Sequence, residues 1–101
     1  MFDIRAYQRE IEQLCQQFNV EELALFGSAL REDFDPARSD IDFVVTFKPM
    51  EPVIHAKAYF GLVEALESLL GHKVDLLSLR AVRNPYLREA IEKTRETLYV
   101  S

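Results

Sequence analysis

Between Phe26 and Val45 the chain reads FGSALREDFDPARSDIDFVV. Apolar residues run into Gly27-Ser28, a charged loop follows, and Ser39-Asp40-Ile41-Asp42 then opens onto a run of β-forming residues. Glycine and proline punctuate the loop, while Val, Phe and Ile crowd its far flank. The stretch therefore predicts two strands joined by a polar connection. It also poses a chemical problem, because two aspartates stand at the mouth of a strand that must be buried.

Working outward, VEELALFG predicts a short buried strand over Leu23 to Phe26, stopped by Gly27. Ala29 to Asp33 suits one helical turn. The second strand runs from Ile41 to Phe47 and ends at Lys48-Pro49. Upstream, Ile4, Tyr7, Ile11, Leu14, Cys15 and Phe18 recur at spacings of three and four, which predicts an amphipathic helix over Asp3 to Asn19 with Asp3 as its N-cap. Downstream, a loop with Pro49 and Pro52 leads to a helix over His55 to Leu70, closed by Gly71. HKVDLLSL reads as a third strand. Asn84-Pro85 reads as an N-cap and first helical position, opening a last helix through Glu96. Tyr99 and Val100 either pack on the sheet or join a partner. Helix, strand, strand, helix, strand, helix predicts a small α/β (α+β) sandwich, a sheet of three to four strands flanked by helices in one domain over residues 1–101.

Composition narrows the function. The 101 residues are 49% hydrophobic, enough for one core. Twelve basic residues against 17 acidic ones, a net charge of −5, disfavour binding through neutralisation of a nucleic-acid backbone. No stretch approaches the roughly 18 apolar residues that span a bilayer, and the N-terminus lacks a signal-peptide core, so a cytoplasmic protein is expected. Cys15, the only cysteine, lies in register with the helical stripe and reads as buried filler. His55 and His72 have no second ligand at metal spacing and read as solvated or capping residues.

If the strand already begins at Asp40, Asp40 and Asp42 leave one face of it with Cα atoms about 6 to 7 Å apart, which allows them to converge on one divalent ion. Burying them unpaired costs several kcal/mol each, so a cation or water must accompany them. Mg²⁺ suits a carboxylate pair that leaves positions open for phosphate oxygens. Asp75, inside a segment whose neighbours Val74, Leu76 and Leu77 mark it as buried, is the third carboxylate. If its strand adjoins the one opening at Asp40, the three meet the requirement of a phosphoryl-transfer site, with Asp75 placed to take a proton from an attacking hydroxyl. Gly27 allows backbone to approach a phosphate closely, the Ser28 hydroxyl can hold its oxygens, and Arg31 lies within reach of the same polyphosphate. Each element alone is common; their joint order is specific.

Gly27-Ser28, Arg31, Asp33-Phe34, Pro36, Ser39-Asp40-Ile41-Asp42 and Asp75 together resemble the minimal nucleotidyltransferase (MNT) proteins of the DNA polymerase β-like nucleotidyltransferase superfamily. The similarity covers nearly the whole chain. It implies a mixed-sheet fold, Mg²⁺ bound by Asp40 and Asp42 with Asp75 completing the triad, and transfer of a nucleoside monophosphate with pyrophosphate leaving. Glu32 stands where many relatives have glycine, and Asp35 to Arg38 lengthen the loop slightly; both bear on Arg31. Family members of this length are commonly encoded beside a HEPN-domain ribonuclease toxin, and the resemblance implies that this chain is the MNT antitoxin of such a pair, blocking the toxin by moving AMP from ATP to one of its tyrosines. The stretch after Asp75 leaves room for one helix and no acceptor-binding domain, so another protein is expected to supply the acceptor. The alternatives are an antitoxin that acts by binding alone and a transferase acting on a small molecule of the aminoglycoside type.

Overall fold

Strand β2 (Ile41–Phe47) sorts its side chains by parity, and that sorting organises the molecule. Ile41, Phe43, Val45 and Phe47 enter the main core, whereas Val44 joins a second, smaller apolar cluster on the opposite face. Asp42 shares Val44's face. The computed structural model describes residues 2–31 and 33–101, with only the backbone described at Ser28 and Ala29.

The main core is closed by two helices. A 3-10 turn at Ile4–Tyr7, begun by Asp3 accepting from the Arg5 amide, runs into α1 (Gln8–Gln17), which buries Ile11 and Cys15. Helix α2 (Pro52–Leu70) buries Ala58, Leu62, Leu66 and Leu70, one residue per turn at i, i+4 spacing. It starts at Pro52, a turn earlier than the expected His55, because proline suits a helix's first position, where an amide partner is not needed. It ends as expected at Gly71, whose φ of 72° needs no Cβ and whose amide donates to the Glu67 carbonyl. Midway along α2, Gly61 lies under the Phe18 ring: a Cβ there would come within 2.6 Å of it.

The sheet has four strands in the order β3-β2-β1-β4. Strand β1 (Val20–Leu25) is antiparallel to β2 and β4, and β3 (Val74–Ser78) is parallel to β2. Strand β4 (Glu96–Val100) was not expected as an element, and it claims Glu96 from the predicted helix. Helix α3 (Pro85–Thr94) ends two residues before Glu96 and only Arg95 intervenes, so no glycine or proline marks the change. Tyr99 packs on the core and Val100 is exposed at the strand's end. Strand β1 begins at Val20, ahead of the expected Leu23; its Glu21 and Glu22 meet Arg80 and Arg95 at 3.5 and 3.4 Å.

Helix α3 is capped as read, with the Asn84 side chain accepting from the Tyr86 and Leu87 amides. It covers the second face through Ile91 against Ala24 and Val44. That face is covered over Ala24 and Val44 and left open at the Asp42 end. No helix among the described residues is long and apolar enough to cross a membrane.

Candidate active site

Parallel pairing of β2 with β3 sets Asp42 directly opposite Asp75. Residues in register on neighbouring strands point the same way, so both carboxylates stand on the incompletely covered face. Asp40 lies immediately before β2 and is exposed. Asp42, half-buried, has its carboxyl held above the usual carboxylate range by desolvation, then by the negative charges of Asp75 and Asp40. Three elements thus concentrate negative potential at one end of one sheet face.

Asp75 is exposed, which corrects the expectation of a buried position. Strand β3 is an edge strand, and its alternation buries Val74 and Leu76 while turning Asp75 outward. The Tyr59 hydroxyl donates to the Leu76 carbonyl and the Val74 amide donates to Glu67, which fix the edge strand to α2 on either side of Asp75.

Gly27 closes the site from the β1 side. The Phe26 amide donates to the Asp42 carbonyl at 3.0 Å, bringing the strand end alongside β2. Gly27 follows with φ 71°, and a Cβ on it would lie 2.9 Å from Asp42 Oδ2. Only glycine both adopts that backbone and leaves the carboxylate its space. A 3-10 turn, Gly27–Leu30, comes next, where one helical turn was expected. The Ser28 side chain, and Glu32 altogether, lie outside the described residues.

Arg31 is not gathered into the acidic end. It is exposed and pairs with Asp33 at 3.2 Å, within a loop whose Phe34 packs on the core and stacks edge-on against Phe2. An exposed pair of this kind holds by about 0 to 1 kcal/mol, so Arg31 is free to exchange partners.

Among the described residues, no three of His, Cys, Asp and Glu converge closely enough to hold a metal ion by themselves. The donor set fits a hard divalent cation held by one or two carboxylates together with a ligand's phosphate oxygens, the manner in which Mg²⁺ is commonly bound. The opposed oxygens of Asp42 and Asp75, with the raised proton affinity of Asp42, supply the all-oxygen, electronegative environment such an ion requires.

The remaining candidates are structural. Cys15 is buried, its thiol pushed up to about 12 by desolvation and then by Glu12, so it is unreactive filler as read. His55 packs edge-on against Phe47 at 5.0 Å, in α2 rather than at its start.

A mixed sheet that presents a strand-end glycine against an aspartate, with a second aspartate in register beside it, is the arrangement in which the comparisons place the chain. The chain belongs to the nucleotidyltransferase-domain family, which it matches over residues 8–98. It is 37% identical over 87 residues to a Methanocaldococcus jannaschii protein named as a candidate protein adenylyltransferase, covering 86% of this chain and 83% of that one. It is 35% identical over 91 residues to the protein adenylyltransferase MntA of Thermococcus cleftensis, covering 88% and 83% respectively. A solved structure described as a minimal nucleotidyltransferase superposes with a TM-score of 0.71 at 31% identity, covering 92% of this chain and 90% of that one. The fold is also that of a chain in a toxin–antitoxin crystal structure with AMP-PNP, at TM-score 0.68 and 23% identity, covering 93% and 73%.

Proposed function

We propose that this chain is an antitoxin that transfers AMP from ATP to a tyrosine hydroxyl of a HEPN ribonuclease toxin and thereby neutralises it. The observation that carries the reading is the register of Asp42 with Asp75, closed by Gly27 against the Asp42 carboxylate. The names of the relatives supply the protein acceptor.

Asp42 and Asp75, with Asp40 beside them, would hold Mg²⁺. When bound, the ion neutralises triphosphate charge and stabilises the pyrophosphate that leaves. Gly27 leaves backbone free to approach the triphosphate, and Ser28 and the amides of the following turn hold its oxygens. Arg31, released from Asp33, adds a cation to the same group. Asp75 takes the proton of the attacking tyrosine hydroxyl as the new O–P bond forms at the α-phosphorus and the bond to the β-phosphate oxygen breaks. Its place on an edge strand is what lets another protein's side chain reach it.

The test is intact mass spectrometry of the HEPN protein encoded beside this chain, incubated with the chain, ATP and Mg²⁺. Mass increments of AMP with the wild type, absent with Asp40→Asn/Asp42→Asn, are expected. A stable complex that silences the toxin without any increment would make this an antitoxin acting by binding alone. Transfer to aminoglycoside-type small molecules by the isolated chain would overturn the protein-acceptor reading.

A further inference from the structure

At the opposite end of the β2–β3 pair, past the last residues of both strands, lies an open cleft of about 410 Å³. Its polar lining is basic: Lys48 follows β2, Arg80 and Arg83 follow β3, and no carboxylate among the described residues lines it. In a chain with 17 acidic and 12 basic residues such a composition runs against the average. Arg80 is exposed, its guanidinium donating to the Phe47 carbonyl at 3.4 Å and meeting Glu21 at 3.5 Å. Lys48 and Arg83 are exposed and, among the described residues, have no ion-pair partner. The floor is apolar and aromatic, made by Phe47 with His55 edge-on against it and by Met50. Ser78, at the end of β3, adds a hydroxyl.

We propose that this cleft is a second ligand site, distinct from the carboxylate end, that takes a small phosphate-bearing molecule with a flat ring, such as a nucleoside monophosphate. Beyond the carboxyl ends of the parallel β2–β3 pair the chain runs into loops that leave a concave space, the setting in which a cleft with a few convergent polar groups takes a small ligand. The Arg80 guanidinium, oriented by a carbonyl and a glutamate, and the exposed Lys48 and Arg83 provide charge-assisted donors for phosphate oxygens. The half-buried His55 and Met50, lying over buried Phe47, offer an apolar surface for the ring. Ser78 lies three residues along β3 from Asp75, about 10 Å of strand, and on the other face of the sheet. A ligand here therefore does not occupy the transfer site.

The two sites separate experimentally by their need for a cation. In EDTA the carboxylate end repels phosphate, so binding seen without divalent ions reports the basic cleft. Nuclear magnetic resonance titration of the full chain with AMP, and separately with inorganic pyrophosphate, in EDTA is expected to give saturable shifts at the Ser78 and Ala81 amides. Lys48→Gln/Arg83→Gln, which changes two exposed residues without ion pairs, should weaken AMP binding at least tenfold, and Asp42→Asn/Asp75→Asn should leave it unchanged. Pyrophosphate bound as tightly as AMP would remove the ring from the assignment and overturn the nucleotide class. Absence of metal-free binding, or binding indifferent to Lys48→Gln/Arg83→Gln, would overturn the site itself. A polyglutamate peptide competing more strongly than AMP would make the cleft a docking surface for an acidic protein segment.

Discussion

The two faces of the sheet are built from the same strands and do opposite things. On one, Ile41, Phe43, Val45, Val74 and Leu76 are sealed beneath α1 and α2. On the other, one residue out of phase, Asp42 and Asp75 stand in register at the end that α3 leaves uncovered. Burial on the first face provides the free energy that holds two like charges together on the second. Neighbouring residues in β2 thus serve stability and chemistry separately, and substitutions should show it.

The largest expected effect on folding comes from Phe43, fully buried. Phe43→Ala should cost about 3 to 5 kcal/mol, the usual loss for a large core side chain, read from urea unfolding. Its neighbour should behave in reverse. Asp42→Asn should reduce AMP transfer more than about 10²-fold, the scale of a single electrostatic group in an active site, while the fold is kept and made more stable near neutral pH. The sign follows from linkage. The folded-state pKa of Asp42 lies above its ordinary value of 3.8, so the native state binds this proton more tightly than the unfolded chain does. The ionised carboxylate therefore costs stability that is absent at lower pH, and the cost grows as pH rises from the unfolded value through the folded one. Thermal unfolding of wild type and Asp42→Asn across that window should show the two diverge as pH rises.

Gly27→Ala sharpens the comparison at the place where backbone and carboxylate meet. A methyl 2.9 Å from Asp42 Oδ2, on a residue at φ 71°, should cost about 1 kcal/mol of stability from backbone strain. It should lower transfer by far more than that stability loss explains, which parallel denaturation and activity assays would separate. The smallest effect lies at Asn84, whose side chain caps α3 through two amides. Asn84→Ala should cost about 1 kcal/mol in denaturant unfolding and leave the acidic end intact.

How much of this was legible in the sequence depended on whether the determinants were local. Strand β2 was readable to the residue, because its apolar run is bounded by Asp40 and by Lys48-Pro49. Gly71 and Asn84-Pro85 marked helix ends by rules that act within one turn. Strand β4 was not readable, since its five residues follow α3 with one residue between and gain their strand character from pairing with β1. Gly27, Asp40, Asp42 and Asp75 could be singled out by chemistry. That Asp42 faces Asp75, and that Asp75 is exposed, followed only from the strand order that puts β3 at the edge. Lys48 lies far in the chain from Arg80 and Arg83, and the three carry no motif; the parallel β2–β3 pairing brings them to one cleft.

The central claim is that the open end of the second face binds a cation and a nucleoside triphosphate together. Calorimetric titration of the chain with ATP, with and without Mg²⁺, tests it most directly when Asp42→Asn/Asp75→Asn, verified as folded by circular dichroism, is run alongside. A Mg²⁺-dependent ATP binding step is expected in the wild type and absent from the double variant. The same Mg²⁺-dependent step in the folded variant would contradict it.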